Sequence, residues 1–262
     1  MRESRVRKLW AEGKPVLNGW CAIPSSFSAE AMAGMGWDSV TLDMQHGVID
    51  YQVAVTMFQA ISITSATPMA RVPWNDPSAI MKALDAGAYG LICPLVNTHT
   101  EAEAFARACR YPPRGYRSSG PIRASLYGGP DYMQKADDVI VTLAMIETLD
   151  GLENLDEILA VKELDGIYIG PSDLSLSLGG SPGLDQTDPK VFGAIERILK
   201  TAKQHGKRAG IQSGNVAYAK RMFDLGFDLV TVYSDFRLMM AAGAHVMAEM
   251  RGTGGKSGGS IY

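Results

Sequence analysis

The regular alternation of short apolar runs with amphipathic helical segments is the feature that most constrains the fold of this 262-residue chain. Eight runs have the composition of strands: 16–22, 38–44, 67–72, 89–95, 139–147, 165–170, 207–212 and 227–233. Apolar residues at helical spacing follow each run, ending with a segment over about 235–250. Strands that are apolar along their whole length are typical of a parallel sheet covered on both faces. The pattern therefore predicts a single-domain (β/α)8 barrel over residues 1–250, of the α/β class.

A doubly wound open sheet is the competing architecture. It would place a glycine-rich turn after the first strand, and the segment "WCAIPSSFSAE" contains no glycine. Two segments depart from the alternation. Residues 111–127 form a long stretch rich in Pro, Gly and Arg, which is typical of a loop at a functional site or an interface. Residues 251–262 resemble a phosphate-binding loop only superficially, because the spacing fails, and we expect a flexible Gly-rich tail.

Composition argues against several classes of protein. A net charge of −3 gives no reason to expect a nucleic acid or an anionic membrane as partner. No apolar run approaches the roughly 18 residues of a membrane span. The charged N-terminal segment has no apolar run after it, so it does not predict a signal peptide. Three cysteines without paired or metal-ligand spacing predict buried thiols in a reducing cytoplasm.

Ionisable residues stand at the carboxyl ends of the predicted strands, where barrel enzymes carry their chemistry. Asp43 and His46 follow the second strand, Arg71 ends the third and Glu147 ends the fifth. Asp173 follows the sixth strand, in the segment "IGPSDLS". Ionisable groups at the edge of a core are costly to bury without a partner. We therefore expect these side chains to meet in one site.

Glu147 and Asp173 would terminate adjacent strands, and neighbouring strands lie about 4.8 Å apart. Two carboxylates so close repel one another unless they share a proton or a cation. Two protein oxygens with open water positions suit Mg²⁺ or Mn²⁺. No cluster of Cys and His accompanies them, so a structural zinc site is not expected. The structural alternative is that each carboxylate caps a helix or pairs with a basic side chain, and the spacing leaves both interpretations open.

Two further groups have both a catalytic and a structural interpretation. His46 is a candidate for proton transfer near neutral pH, or else a hydrogen-bonded structural histidine. Arg71 is either an ion-pair partner or a donor to an oxyanion. The segment 170–175, "GPSDLS", has the form of a helix start, so the free N–H groups of Ser172 and Asp173 could bind a substrate carboxylate. In the simpler interpretation, Asp173 only caps that helix.

Six motifs stand out along the chain: "FSAEAMAGMGWDSVTLDMQHG", "ARVPWNDP", "KALDAGAYGLICPLV", "RYPPRGYR", "MIETLDGLENLDEILAV" and "DGIYIGPSDLSLSLG". Together they resemble the HpcH/HpaI family of metal-dependent (class II) pyruvate aldolases, over residues 16–245. The resemblance implies an aldolase that reversibly cleaves 4-hydroxy-2-oxo acids. The products would be an aldehyde and pyruvate, or a close 2-oxo acid such as hydroxypyruvate.

The resemblance also implies roles for individual residues. Glu147 and Asp173 would ligate a divalent cation, Mg²⁺ or Mn²⁺, with Co²⁺ as a further option. His46 would be the base and Arg71 would stabilise the enolate and the reacting carbonyl. An aspartate would raise the basicity of the histidine, and both Asp43 and Asp85 are candidates. The residues expected to bind substrate are Trp20, Met145, Gly170, Ser172, Asp173 and Gln212.

The resemblance leaves the second substrate and the assembly open. Gln45, Met145, Gln212 and the segment "VYSD" (232–235) depart from the nearest pattern, which puts the aldehyde and the choice of 2-oxo acid in doubt. A homo-oligomer is implied, a hexamer or trimer of dimers, with the last helix on a neighbour and residues 114–127 near an adjacent pocket. Two alternatives remain: a CoA-ester lyase of the citrate-lyase-β or malyl-CoA type, and a non-catalytic 2-oxo acid binding protein. The former needs a basic groove, and Lys and Arg cluster only around 107–123.

Overall fold

Eight parallel strands close into a barrel in the computed structural model, which describes residues 1–252. The strands are β1 Val16–Cys21, β2 Ser39–Asp43, β3 Thr67–Arg71, β4 Gly90–Cys93, β5 Val141–Ile146, β6 Gly166–Ile169, β7 Arg208–Ser213 and β8 Leu229–Val232. They lie in chain order, and β8 pairs with β1 through Val16 and Leu229. The predicted (β/α)8 barrel is thus confirmed, and an open sheet is excluded. Most of the predicted flexible tail lies outside the described residues.

Helices surround the barrel. They are α1 Arg5–Ala11, α2 Ser26–Gly34, α3 Tyr51–Ile61, α4 Pro77–Asp85, α5 His99–Ala108, α6 Ile122–Gly128, α7 Tyr132–Val139, α8 Leu149–Glu153, α9 Leu155–Leu159, α10 Pro171–Ser177, α11 Pro189–Gln204, α12 Val216–Leu225 and α13 Asp235–Met250. Side-chain caps start many of them, and Thr98 and Glu101 form a capping box at α5. The trailing helix expected at about 235–250 is present as α13.

Three helices, α1, α6 and α7, were not expected from the sequence. Residues 111–127 were predicted to be a loop, but α6 begins at Ile122, so the end of that segment is helical. Helix α1 lies in the charged N-terminal segment, where Val6 and Trp10 are buried against the barrel. The Trp10 indole N–H donates to the Asp228 carbonyl. Tertiary contacts of this kind, rather than local periodicity, decide that these short segments are helical.

The barrel interior is packed with side chains and is not a pore. An inner apolar cluster includes Trp20, Met69, Met145 and Tyr168 and is distinct from the larger cluster that holds the helices against the strands. The three cysteines are buried free thiols, as predicted. Within residues 1–252, no helix is long and apolar enough to cross a membrane. The closed and filled barrel therefore presents its strand ends as a rigid platform.

Candidate active site

A cavity of about 870 Å³ opens at the carboxyl ends of the strands. Every predicted site residue lines it except Asp85. Those that do are Trp20, Asp43, His46, Arg71, Met145, Glu147, Gly170, Ser172, Asp173 and Gln212. These residues come from strands around most of the barrel, and closure of the sheet brings them together. The position is the one at which barrels of this type carry ligands.

Asp43 and Arg71 form a rigid pair at one side of the cavity. They are register partners on β2 and β3. The Arg71 guanidinium donates from Nε (2.9 Å) and Nη2 (2.6 Å) to the two oxygens of the Asp43 carboxylate. Although burial alone would raise the pKa of Asp43, the charge and hydrogen bonds of Arg71 hold this pKa below its usual range. Within the described residues, Nη1 of Arg71 has no acceptor and remains able to donate to a ligand.

Trp20 supports this pair from below. Its indole N–H donates to Oδ2 of Asp43 at 3.2 Å, and the Arg71 guanidinium lies 5.0 Å from the centre of its ring. Trp20 in turn stacks on Tyr168, with ring centroids 6.1 Å apart. The guanidinium is therefore held by a carboxylate in its own plane and by an aromatic face. Its direction is fixed before any ligand arrives.

His46 lies on the loop after β2 and is exposed to the cavity. Asp43 accepts the backbone N–H groups of Gln45 and His46, each at 3.1 Å. Asp43 thus shapes the loop that carries His46, but its carboxylate meets the backbone and not the imidazole. The imidazole makes no hydrogen bond to any residue in the range 1–252, which leaves it available to a substrate.

Asp85 lies far from this cavity within its own chain. It ends α4, which runs from the carboxyl end of β3 back to the start of β4, so it stands at the opposite end of the barrel. There it accepts a hydrogen bond from Nη2 of the buried Arg117 at 2.7 Å. The Arg117 guanidinium also lies 4.7 Å from the ring centre of Tyr111 and 5.6 Å from that of Tyr132. Neither candidate aspartate therefore contacts the His46 imidazole of the same chain.

Glu147 is buried at the end of β5, and no basic side chain within residues 1–252 bonds it. Only 2% of the residue is exposed, and its Oε1 accepts the Leu95 N–H at 2.9 Å. Burial raises the pKa of Glu147 to about 7; the Leu95 hydrogen bond offsets part of this rise, the negative charge of Asp173 adds to it, and the positive charge of Arg71 lowers it slightly. A Cβ at Gly170 would press against Oε2 of Glu147, so a larger residue there would displace this carboxylate.

The structural alternatives for these two acids do not hold. No basic side chain in the described part of the chain bonds Glu147, and α10 has no side-chain cap, so Asp173 does not cap it. Asp173 instead lies in the first turn of α10, exposed to the cavity, and α10 follows β6, the strand next to β5. Two neighbouring carboxylates that repel one another when both are ionised are a suitable donor set for a divalent cation.

The donor set is open rather than closed. No group of three or more His, Cys, Asp or Glu side chains within residues 1–252 could hold a metal. A cation held by Glu147 and Asp173 alone would keep positions for water or substrate oxygens, as hard divalent ions do in catalytic sites. Next to it, Pro171 stands at the first position of α10, and the N–H groups of Ser172 and Asp173 have no acceptor within that helix.

Three supporting residues were missed by the sequence analysis. Leu95 has φ of 53°, a left-handed conformation that is unusual without glycine and that directs its N–H to Glu147. The Tyr168 hydroxyl lies 2.7 Å from Oε1 of Gln212, so it orients that amide. Asp235 accepts from the Ala22 N–H at 2.8 Å and holds the loop after β1. Period-two alternation could have shown that Tyr168 points inward, whereas no local signal marks Leu95.

Comparison with known proteins agrees with the geometry. The model of the family described as HpcH/HpaI aldolase/citrate lyase matches residues 20–238. The hydroxypyruvate/pyruvate aldolase of Rhizorhabdus wittichii strain RW1 is 46% identical over 248 residues, which cover 95% of this chain and 99% of that protein. The 4-hydroxy-2-oxo-heptane-1,7-dioate aldolase of Escherichia coli strain ATCC 8739 is 39% identical over 94% of this chain and 95% of its own. A solved HpcH/HpaI aldolase/citrate lyase family protein from Burkholderia cenocepacia J2315 superposes with a TM-score of 0.89 at 30% identity, covering 95% of this chain and all of that one.

Proposed function

This chain belongs to the HpcH/HpaI aldolase/citrate lyase family and is an aldolase, and we propose that it reversibly cleaves 4-hydroxy-2-oxo acids with the help of a divalent cation. One product is pyruvate or a close 2-oxo acid such as hydroxypyruvate, and the other is an aldehyde. The names of the relatives from R. wittichii and E. coli support this choice of substrate.

One observation carries the proposal: Glu147 and Asp173 lie at adjacent strand ends, in one cavity with His46 and Arg71, and neither forms an ion pair within residues 1–252. A buried carboxylate with a raised pKa is an energetic cost that a bound cation would remove. No lysine is among the residues that line this cavity in the described chain. The cavity therefore offers no amine for a Schiff base, and the two acids are the groups that remain to support an electron sink.

The chain's own residues perform the proton and charge work of the reaction. In the cleavage direction His46 accepts the proton of the 4-hydroxyl group, the C3–C4 bond breaks, and its electron pair stays on the 2-oxo acid fragment. Arg71 donates from Nη1 to the oxygen on which negative charge develops, because its other nitrogens are held by Asp43. A divalent cation, when bound, supplies Lewis-acid stabilisation of that charge. The proton then returns to C3 and completes the 2-oxo acid.

Other residues of the cavity would position the substrate. The free N–H groups of Ser172 and Asp173 at the start of α10 would hold the substrate carboxylate. Trp20, Met145, Gly170 and Gln212 line the same cavity and would surround the 2-oxo acid.

Oxygen donors alone favour Mg²⁺ or Mn²⁺ as the native ion, with Co²⁺ a further candidate. The three buried free thiols support a cytoplasmic location.

We also expect this protein to form a homo-oligomer. Of the sixteen residues of α13 only Asp235 is buried, and Met239, Met240, Val246 and Met247 are exposed. An apolar helix face of this kind is typical of a contact with a second copy of the chain. A hexamer or trimer of dimers is the assembly we expect. In such an assembly Asp85 and residues 114–127, at the far end of one barrel, could approach the cavity of another.

The CoA-ester lyase alternative has less support. The cations that line the cavity in the described chain are Arg71 and Arg237, which do not form the basic groove that CoA phosphates need. A non-catalytic binding protein is also less supported, since the relatives named above are aldolases.

Removal of divalent cations tests the proposed function. Protein treated with EDTA and then dialysed is compared with the same protein resupplied with Mg²⁺ or Mn²⁺, using cleavage of a 4-hydroxy-2-oxo acid and exchange of pyruvate methyl protons in D₂O. We expect both activities to be lost on chelation and restored by the ion. Equal activity in the two samples would refute the proposed role of the cation.

A further inference from the structure

The cavity has two unlike halves. Asp43, His46, Arg71 and Glu147 come from β2, β3 and β5 and carry charge or a proton. The opposite side also carries Asp173 and Arg237, but much of it is formed by apolar residues that follow β1, β6 and β8. We call these residues the apolar arc: Ile23, Pro24, Leu176, Pro182, Leu184 and Phe236.

The order of strands places the apolar arc on one side of the cavity, with the polar Gln212 of β7 between its members after β6 and β8. β6, β7, β8 and β1 are consecutive neighbours in the closed barrel, so the loops that follow them stand side by side. Asp235 ties the loop after β1 to the start of α13 through the Ala22 N–H and the Ser28 hydroxyl. Asp185 ties the loop after α10 to Gly214 by a hydrogen bond of 2.6 Å. The apolar arc is therefore held in place before a ligand binds.

Few positive charges are available to a second anionic group in this cavity. Arg71 is bonded through two nitrogens to Asp43. Burial raises the pKa of the half-buried Asp185, and the backbone N–H groups of Gly214 and Asn215, together with the positive charge of Arg237, offset part of that rise, so Asp185 already draws on the charge of Arg237. Glu147 and Asp173 add negative charge nearby. A carboxylate placed against the apolar arc would thus be desolvated without a cation of its own, which is unfavourable.

We propose that the apolar arc is the subsite for the substituent of the aldehyde, and that this substituent is uncharged and apolar. The inference rests on the proposed aldolase function and names the class of its second substrate. The volume of about 870 Å³ is much larger than a three-carbon 2-oxo acid needs, so space remains beside it for a longer aldehyde. The C–C bond would form with the aldehyde carbon toward His46 and Arg71 and its chain toward the apolar arc.

A matched pair of aldehydes tests the inference on the metal-supplied enzyme with pyruvate. 4-Methylpentanal and 4-oxobutanoate have the same number of heavy atoms and the same branching, and they differ in an isopropyl group against a carboxylate. We expect kcat/KM to be at least about tenfold higher for 4-methylpentanal. We also expect kcat/KM to rise about two- to fourfold for each methylene from propanal to pentanal. Equal or higher kcat/KM for 4-oxobutanoate would overturn the inference.

A charge placed in the apolar arc should change this preference. Leu176 is 53% exposed, so Leu176→Arg removes little core packing, and it should shift the ratio of the two aldehydes at least about tenfold toward 4-oxobutanoate. Leu225→Arg adds the same charge to a residue that is 39% exposed at the end of α12, at the other end of the barrel, and should leave the ratio unchanged. Identical ratios in both variants would overturn the placement of the substituent.

Exchange of pyruvate methyl protons separates this inference from the proposed function. Wild-type enzyme that exchanges these protons but prefers 4-oxobutanoate has the proposed function and a different aldehyde site. If the wild-type enzyme does not exchange these protons and does not join pyruvate to any aldehyde, both the proposed function and the apolar aldehyde subsite are refuted.

Discussion

Acids shielded from solvent stand at both ends of this barrel, and their pKa values shift in opposite directions. At the N-terminal end, Asp165 accepts two hydrogen bonds from Arg7, at 2.6 and 2.7 Å, and one from Arg110 at 3.2 Å. Although burial would raise the pKa of Asp165, Arg7 and Arg110 hold it below its usual range. At the other end, Glu147 has one backbone N–H, and burial raises its pKa to about 7. Burial raises the pKa of both acids, but the bonded arginines of Asp165 reverse the direction of its net shift.

This difference indicates which acids stabilise the fold and which acid serves the active site. The acids at the N-terminal end form ion pairs that join α1 and the strand starts, and Asp228 does the same through Arg208 at 2.9 Å. The acid at the cavity is left in a state that costs free energy until a ligand supplies positive charge. Asp43 is intermediate, because its partner Arg71 both neutralises it and faces the cavity. Barrels commonly divide their ends in this way.

Replacing the unpaired acid gives the largest expected effect. Glu147→Gln removes a carboxylate that the cation needs, so kcat/KM for cleavage should fall at least about 10³-fold, or about 4 kcal/mol. Because no ion pair is lost, the free energy of unfolding of the metal-free protein at pH 8 should stay the same or rise. Steady-state kinetics and urea unfolding measure the two quantities. A variant that keeps its activity and loses stability would reverse the assignment.

Replacing the paired acid should do the opposite. Asp165→Asn leaves Arg7 and Arg110 with an uncompensated positive charge, so the free energy of unfolding should fall by about 3 kcal/mol. Activity per folded molecule should stay within about twofold, since Asp165 lies at the far end of the barrel. Thermal unfolding and kinetics at low temperature give both values. A large loss of kcat in the folded variant would contradict the separation.

The intermediate pair should show both effects. Arg71→Lys keeps the charge but cannot bond both oxygens of Asp43 and still donate to a substrate. We expect kcat to fall about 100-fold, with a smaller loss of stability of about 1 kcal/mol. Kinetic and urea measurements on one preparation compare the two losses. If the loss in free energy of unfolding exceeds the rise in activation free energy calculated from kcat, Arg71 has a mainly structural role.

The pH dependence of stability gives the smallest expected effect. Since the pKa of Glu147 is about 7 in the folded protein and about 4.5 in its ordinary state, the folded state binds more protons between these values. The free energy of unfolding of the metal-free protein should therefore fall as pH rises through this window, by on the order of 2 kcal/mol. Urea unfolding at pH 5 and pH 8 measures the fall. It should be absent in Glu147→Gln, and parallel profiles for the two proteins would contradict the raised pKa.

The sequence predicted the strands and the strand-end residues because each signal is local. Near-continuous apolar runs mark strands of a closed parallel barrel, and topology alone brings their ends together. The partner of Asp43 was not predictable, since it depends on the register that sets Asp43 opposite Arg71. The position of Asp85 could have been anticipated, because the end of a helix in such a barrel lies away from the strand ends. The left-handed conformation of Leu95 has no sequence signal.

Binding of Mn²⁺ to the metal-free protein tests the central claim most directly. Titration followed by electron paramagnetic resonance compares wild type with Glu147→Gln, Asp173→Asn and the control Asp165→Asn. If Glu147 and Asp173 bind one cation together, wild type and control should each bind one ion per chain. Each of the other two variants should bind it at least about 100-fold more weakly. Undiminished binding after loss of either Glu147 or Asp173 would contradict it.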